Sequence, residues 1–388
     1  MEKVKPKVVF TMVEAGMGHI IPMQVIASAF ESKYGDKCEV VTTHIFSESE
    51  YRAVREMGEE LNEHTKKTSS DFFYNKIETI SYALSSKLTL KVLDAHFKKA
   101  IKLFVKEFGQ LNPDLIVSSY YLPSHLARKA NEQGVTDTLI ATYSPDPYIY
   151  PAWDRTCDLF IVNNQKAFDM AIKKGFELKK TLQVPFIYKE EFASLDTNKV
   201  STREKLGVKD KFTVLFTGGA YGTKGTERLI KTLLQTQKNI NLIAVCGKNQ
   251  TIYDNLLAMT SLKDDSVDYK VIGYTDRLSE YMVCSDVIIG KAGSNTVMET
   301  ARLGKPLIIN REASRLEEIT AVYAKAQGLA LRIKSPKKIS NLIKEWASDK
   351  RALKDFEINA KKFCVDTGAE TVADALFELL KTKHPNLS

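Results

Sequence analysis

The run 286–307, DVIIGKAGSNTVMETARLGKPL, contains the residues whose types and spacing are best suited to chemistry. Its apolar start is typical of a strand buried on both faces, and two glycines keep side chains out of the turn that follows. Three residues of N-cap type come next: Ser294, Asn295 and Thr296. A helix that starts here would direct its unpaired amides and the positive end of its dipole towards an anion, most commonly a phosphate.

A carboxylate, Glu299, lies about one turn further into the same predicted helix. At that distance it can accept hydrogen bonds from two vicinal hydroxyls, such as those of a ribose, so the run suits a nucleotide diphosphate. The alternative is an ordinary tight turn with Glu299 on a solvated helix face.

Strand, glycine turn and helix recur over 212–228 and at the start of the chain, where Gly16-Met17-Gly18-His19 follows a strand-like segment. Pro22 is compatible with the first turn of the helix predicted there. The chain has no P-loop signature, and this first loop lacks the third glycine of a dinucleotide fingerprint.

Length and composition predict a globular protein of two domains. The chain has 388 residues, of which 44% are hydrophobic and 27% charged. Its five cysteines form no metal-like pair and no even framework, which favours a reducing cytoplasm. No signal-peptide core and no apolar run of roughly 18 residues are evident, so we expect no membrane span.

The net charge is +8, and several of the basic residues lie in the segment 87–106, KLTLKVLDAHFKKAIKLFVK. The spacing of its apolar residues predicts one basic amphipathic helix. Such a helix could bind an anionic membrane surface. The alternative is a surface helix whose apolar stripe packs on its own domain. Basic and aromatic residues are not interleaved as in single-strand grooves, so we expect no nucleic-acid partner.

Strand-like and helix-length segments alternate along the whole chain, which predicts parallel sheets covered by helices on both faces. The predicted strands are 8–13, 38–43, 114–118, 138–143, 159–162, 213–217, 242–246, 269–272, 287–289, 307–310 and 329–332. We therefore predict an α/β fold of two doubly wound, Rossmann-like domains that face each other across a cleft. The predicted boundaries are 1–185 for an acceptor- and membrane-binding domain, 186–366 for a nucleotide-sugar domain, and 367–388 for a C-terminal helix that crosses back.

The second half resembles the nucleotide-sugar domain of GT-B glycosyltransferases. The similarity is specific to monogalactosyldiacylglycerol synthases and processive diacylglycerol glucosyltransferases, relatives of the peptidoglycan lipid-intermediate N-acetylglucosaminyltransferase. It is carried by 245–249 (VCGKN), 272–274 (IGY), 291–293 (KAG) and 304–306 (GKP), with Thr296 and Glu299. In the first half, the Gly-His loop and the segment 144–162, SPDPYIYPAWDRTCDLFIV, also match.

The resemblance implies an inverting hexosyltransferase that moves a sugar from a UDP-sugar to diacylglycerol or a glycosyl-diacylglycerol. It would be cytoplasmic, peripheral on the inner face of the cell membrane, and would need no metal or cofactor beyond the donor substrate. By the same resemblance Glu299 would hold the ribose. The remaining donor-binding positions would be Gly218 and Gly219 for the phosphates, Gly273 and Tyr274 for the base, and Gly293, Ser294, Asn295 and Thr296 for the diphosphate.

The reaction needs a base for the attacking hydroxyl, and two residues are candidates. His19 carries an imidazole, which titrates near neutral pH, and Asp146 lies in the matching Asp-containing segment. His19 could instead orient backbone or phosphate, Asp146 could simply form a turn beside its prolines, and Glu14 is a weaker third candidate.

The chain departs from the family where relatives carry a Gln-Glu pair and an Asn that touch the donor sugar. Here the aligned residues are Leu316, Glu317 and Thr320, so only Glu317 matches. The sequence therefore does not identify the donor sugar, and it leaves three alternative functions. These are N-acetylglucosaminyl transfer to a polyprenyl-diphosphate-linked acceptor, UDP-sugar 2-epimerisation, and a non-catalytic UDP-sugar-binding membrane protein.

Overall fold

The computed structural model describes residues 5–14, 17–70, 86–189, 191–218, 225–312, 314–362 and 368–387. The chain divides into two compact units. Unit 1 comprises Met1–Lys189 and Asp366–Ser388, and unit 2 comprises Glu190–Val365. Each unit is built on a parallel sheet with helices in the connections, as the alternation of segments predicts.

The described part of unit 1 contains a six-stranded sheet. Its strands are β1 (Lys7–Thr11), β2 (Glu39–Thr43), β3 (Leu115–Ser118), β4 (Leu139–Ser144), β5 (Leu159–Val162) and β6 (Thr181–Gln183). The helices before β6 are α1 (Met17–Tyr34), α2 (Arg52–Ser70), α3 (Ser86–His96), α4 (Lys98–Leu111), α5 (Tyr121–Glu132) and α6 (Gln165–Lys173). The strand order is β2-β1-β3-β4-β5-β6, and every pairing is parallel.

The described part of unit 2 repeats this architecture. Its strands are β7 (Phe212–Thr217), β8 (Ile240–Val245), β9 (Asp268–Ile272), β10 (Val287–Lys291), β11 (Leu307–Arg311) and β12 (Ala330–Arg332). Its helices are α7 (Glu191–Ser194), α8 (Lys199–Leu206), α9 (Thr226–Thr236), α10 (Gln250–Ala258), α11 (Leu278–Cys284), α12 (Ser294–Arg302), α13 (Arg315–Ala326), α14 (Pro336–Ser348) and α15 (Lys354–Lys361). The strand order is β12-β11-β10-β7-β8-β9, again all parallel.

Both faces of each sheet are buried because the strands are apolar at successive positions. On β3, Ile116 packs into one hydrophobic cluster, whereas its neighbours Leu115 and Val117 pack into the cluster on the opposite face. Every residue of β7 and of β8 is buried in the same way. This pattern is why the strands of parallel sheets are readable as short apolar runs.

The prediction of a single basic helix over 87–106 is wrong, because α3 ends at His96 and α4 begins at Lys98. The chain bends at Phe97, which has φ −99° and ψ 23°. The physical reason is packing, since Ile101 and Phe104 of α4 are buried in the core of unit 1. On α3, by contrast, Leu88 and Val92 are 47% and 59% exposed.

Three smaller points differ from the sequence-based expectation. The predicted strands do not include β6, because a strand of three residues is too short to give a periodic signal. Pro22 lies inside α1, in its second turn rather than its first. Helix α12 has Gly293 as its N-cap, so the polar residues predicted as caps form its first turn instead.

The last helix, α16 (Ala369–Lys383), belongs to unit 1 and packs against α1. The rings of Tyr34 and Phe377 stack with centroids 3.9 Å apart. The Tyr34 hydroxyl donates to Asp374 at 2.6 Å. This hydrogen bond, with a smaller contribution from burial, raises the pKa of Tyr34 to about 12. The chain end is thus tied to the first helix.

None of the helices in the described ranges has both the length and the apolar character needed to cross a bilayer.

Candidate functional site

The strand order of unit 2 places the predicted phosphate-binding residues together. The chain leaves β7 towards β8 and β9, then returns to the other side of β7 to form β10, so a topological switch point lies between β7 and β10. Ligands of doubly wound folds bind outside the carboxyl ends of the strands at such a point. Gly218 follows β7 there, and Gly293 and the first turn of α12 follow β10. The predicted residue Gly219 lies outside the described residues.

Gly290 is needed for the close approach of these two strands. It pairs with Thr217, and a Cβ at position 290 would lie 3.1 Å from the Thr217 carbonyl oxygen and 3.3 Å from its Cγ2. Such contacts are tight, so a larger residue would push the ends of β7 and β10 apart. This glycine therefore shapes the switch point through packing.

Helix α12 begins without a side-chain cap and without an acidic residue in its first turn. Its N-cap Gly293 offers no side chain to accept from the amides, and its first turn, which includes Ser294, Asn295 and Thr296, contains no acidic residue. The first amides of a helix have no intrahelical partner, so they can bind an anion. Glu299 follows on the same helix and is half-buried.

The predicted base-binding residues lie on the other side of β7. Gly273 and Tyr274 follow β9, and Tyr274 is 69% exposed, with Lys248 Nζ 5.3 Å from its ring centroid. Gly247, at the end of β8, has φ +61°, a conformation that favours glycine. Three strand spacings, about 14 Å, separate β9 from β10, so Gly273 and Tyr274 lie at the same carboxyl edge of the sheet as the start of α12.

Glu317 lies in the first turn of α13, where Ser314 caps the helix by accepting from the Glu317 amide at 3.2 Å. Its carboxylate forms an ion pair with Lys291, the last residue of β10. Sequence reasoning assigned no role to Lys291, although its position between a strand and a glycine turn was the available signal. The structure thus brings Glu317 to the loop that precedes α12.

A buried charge cluster holds the amino end of β10. Asp286 immediately precedes the strand, and its carboxylate accepts from the Thr213 amide at 2.8 Å, from Lys199 at 2.5 Å and from Arg203 at 3.1 Å. Burial by itself raises the pKa of Asp286, but the attraction of Lys199 and these hydrogen bonds outweighs burial and keeps the pKa below its usual value. Nearby, burial lowers the pKa of Lys305 to about 8.

The switch point of unit 1 lies between β1 and β3, and His19 bridges it. His19, in the first turn of α1, places Nδ1 2.7 Å from the carbonyl oxygen of Ser119, and the Ser119 hydroxyl donates back to the His19 carbonyl at 2.5 Å. The ring also meets that of Tyr120 edge-on at 5.2 Å. Because a carbonyl only accepts, Nδ1 carries a proton, and this contact selects the tautomer in which Nε2 is the acceptor.

Asp146 and Glu14 lie at the same edge of the unit 1 sheet. Asp146 follows β4, which is separated from β1 by β3, so the ends of β1 and β4 are about 10 Å apart. The adjoining turn is held by Asn163, which donates to the Pro145 carbonyl at 2.7 Å. Glu14 is exposed and faces His44, with 3.9 Å between Oε1 and Nδ1. All three candidate bases are therefore compatible with one site.

The described residues contain no group of three or more His, Cys, Asp or Glu side chains that could hold a metal ion. The expectation of chemistry without a metal or cofactor stays a prediction.

Comparisons with known proteins agree with this geometry. Residues 213–374 match the model of the glycosyltransferase family 28 C-terminal domain. The chain is 24% identical over 407 residues to monogalactosyldiacylglycerol synthase 1 of Arabidopsis thaliana, which covers 98% of the chain and 73% of that protein. It is 21% identical over 382 residues to a processive diacylglycerol beta-glucosyltransferase of Bacillus cereus, which covers 96% of the chain and 93% of the relative.

Among solved structures, MurG of Acinetobacter baumannii superposes with a TM-score of 0.63 at 16% identity, covering 96% of this chain and all of that one. This similarity shows the fold. The solved structure confirms the predicted GT-B fold. The family model and the two relatives confirm the resemblance to the lipid-glycosylating transferases.

Proposed function

We propose, from the premise that this chain is a GT-B glycosyltransferase related to lipid galactosyl- and glucosyltransferases, that it moves a hexose from a UDP-sugar to a diacylglycerol-type lipid with inversion at the anomeric carbon. The observation that carries the donor half of the proposal is that α12, which has no side-chain cap and no acidic residue in its first turn, starts at the switch point of unit 2, where Gly218 follows the neighbouring strand. The lipid half is supported by the relatives, since one is named for synthesis of monogalactosyldiacylglycerol and the other as a diacylglycerol glucosyltransferase.

The donor would bind along the carboxyl edge of the unit 2 sheet. The amides at Ser294 to Thr296 would hold the diphosphate and stabilise the negative charge that develops on departing UDP. Glu299 would accept hydrogen bonds from the ribose. In calorimetry, Glu299→Ala should weaken UDP binding about 10-fold, the cost of losing a charged hydrogen-bond acceptor. Glu345→Ala, an exposed glutamate on α14, is the matched control, and equal affinities for the two variants would reject the ribose assignment.

The acceptor hydroxyl would lose its proton to His19 or to Asp146. His19 is favoured because the Ser119 carbonyl fixes the tautomer that leaves Nε2 as the acceptor. His19→Gln should lower kcat by about 100- to 10,000-fold. If Asp146→Asn has that effect and His19→Gln does not, the roles are reversed.

Attachment to an anionic membrane would involve the exposed basic face of α3 and α4. Lys98, Lys99 and Lys102 of α4 are exposed, as are the apolar side chains of Leu88 and Val92 on α3. Each lysine near an anionic surface contributes about 1 kcal/mol, so this cluster is sufficient for reversible binding.

Replacing these three lysines by glutamate should release the protein from anionic vesicles in a sedimentation assay. The matched control replaces Lys337, Lys338 and Lys344, which are exposed on α14 of unit 2, and thus makes the same change in net charge. Equal loss of binding by both triple variants would mean that net charge, rather than this face, controls attachment.

The deciding experiment incubates the protein with anionic vesicles that contain diacylglycerol and with a panel of UDP-sugars. Mass spectrometry would detect the glycolipid, and proton NMR of its anomeric centre would report inversion. Conversion of the UDP-sugar without lipid would point to the epimerase. Transfer only to a polyprenyl-diphosphate-linked acceptor would point to the peptidoglycan-type reaction, and UDP binding without turnover to a non-catalytic protein.

A further inference from the structure

Lys291 is the side-chain cation nearest in sequence to the start of α12. It is the last residue of β10, and Ala292 and Gly293 alone separate it from the helix. Its Cα is thus at most about 11 Å from that of Ser294. The side chain of Lys291 is 33% exposed, so it is not fully enclosed at the carboxyl edge of the sheet.

The position of this side chain is specified by the backbone. Gly290 pairs with Ile309 of β11, but Lys291 pairs with Arg311, so the register shifts by one residue between Gly290 and Lys291. Such irregularities redirect the side chain that follows them and are frequent beside active sites. The shift occurs at the strand end that faces the switch point.

Lys291 and the start of α12 both carry positive charge, and one carboxylate, Glu317, pairs with the lysine. A lysine ammonium near the positive end of a helix dipole is repelled by it, and α12 has no acidic residue in its first turn to reduce that repulsion. The ammonium is held there by Glu317, whose Oε1 lies 2.8 Å from Nζ and whose side chain is only 13% exposed. A lysine that is paired with Glu317 and the start of a helix therefore stand at the two ends of the short loop between β10 and α12.

We propose that Lys291 binds the diphosphate of the donor and that Glu317 is the positioning residue that holds the ammonium in place. This inference rests on the proposed function and adds a side-chain cation to the helix amides. A carboxylate has several lone pairs, so the ion pair is compatible with a contact from Glu317 to the donor sugar.

In the reaction, the acceptor oxygen forms a bond to the anomeric carbon while the bond from that carbon to the UDP oxygen breaks. The bonding electron pair leaves with UDP, and the hydroxyl proton passes to the base. The diphosphate gains one negative charge, and a preorganised ammonium stabilises that charge without further rearrangement.

The test compares the binding of UDP with the binding of uridine, which lacks phosphate, by calorimetry. Lys291→Met should weaken UDP binding about 10- to 100-fold and leave uridine binding unchanged, whereas Lys291→Arg should restore most of the UDP affinity. Glu317→Gln should weaken UDP binding less and lower kcat for glycolipid synthesis, because the ammonium stays but is less well placed. Lys325→Met, an exposed lysine in the last turn of α13, is the matched control.

An unchanged ratio of UDP to uridine affinity in Lys291→Met overturns the inference, even if the wild-type protein makes glycolipid. Equal weakening of the binding of UDP and of uridine is one such unchanged ratio, and it would indicate a general structural defect. If Lys291→Met does not fold, Lys291→Gln is compared in the same way. Wild-type protein that binds UDP but makes no glycolipid would reject the proposed function while leaving this binding test decisive.

Discussion

Asp286→Asn is the substitution with the clearest structural consequence, because it removes one charge from a buried cluster. Asp286 is 6% exposed and accepts hydrogen bonds from Lys199, Arg203 and the Thr213 amide. An asparagine preserves the shape and can still accept from Thr213. Its amide group, however, cannot satisfy Lys199, Arg203 and the more exposed Lys350, whose Nζ lies 3.5 Å from Asp286 Oδ1, so a buried ion pair is broken on one side.

The loss in the free energy of unfolding depends on which partners the cations keep in the variant. Breaking a buried ion pair by removing one partner costs about 3–5 kcal/mol. Arg203 keeps the carboxylate of Asp210 at 2.6 Å and the carbonyls of Lys211 and Cys284, while Lys199 is 29% exposed and regains some water. The expected loss in the free energy of unfolding of unit 2 is therefore at the lower limit, about 3 kcal/mol.

The two tryptophans allow unit 2 to be followed separately. Trp346 is buried in unit 2, and Trp153 is buried in unit 1. In a Trp153→Phe background, fluorescence reports the unfolding of unit 2 in urea. With an m-value of about 2 kcal/mol per M, Asp286→Asn should lower the midpoint by about 1.5 M, whereas Asp265→Asn, at an exposed site, should leave it nearly unchanged.

The same substitution predicts a pH dependence. The pKa of Asp286 is lower in the folded protein than in the unfolded chain, so the stabilisation is present above the unfolded value and is lost as pH falls through the folded value. The difference between wild type and variant should be complete at pH 7 and should shrink below about pH 4. A difference below 1 kcal/mol at pH 7, or one that is as large in acid, would refute the role of this charge.

Three further substitutions test other parts of the structure. Gly290→Ala should reduce the free energy of unfolding of unit 2 by about 1–3 kcal/mol, because its Cβ would press on the Thr217 carbonyl; unchanged urea midpoints would show that the strands adjust freely. The pKa of Lys305, about 8, is below its unfolded value, so wild-type stability should rise between about pH 8 and pH 10, and parallel pH curves for Lys305→Met would contradict this. Tyr34→Phe removes the hydrogen bond to Asp374 and should reduce the free energy of unfolding of unit 1 by about 1 kcal/mol, measured by the fluorescence of Trp153. An unchanged free energy of unfolding would mean that ring stacking alone holds α16.

The elements of this protein are determined largely by local sequence. Short apolar runs such as 287–289 form strands because β-branched residues buried on both faces suit no other element so well. The glycine turn and the polar first turn after β10 are likewise readable from their residue types, which are common where a helix starts. The alternation of such elements is sufficient to predict two doubly wound units, and its motifs predict the family.

Contacts between distant segments were decided only by the tertiary structure. The partner of His19, Ser119, lies 100 residues away, and Glu317 lies 26 residues beyond Lys291. The bend at Phe97 depends on how α4 meets the core of unit 1, which no local pattern specifies. Periodicity determines which residues can form an element, whereas burial and charge between elements determine which side chains meet, because those energies do not exist until the chain has folded.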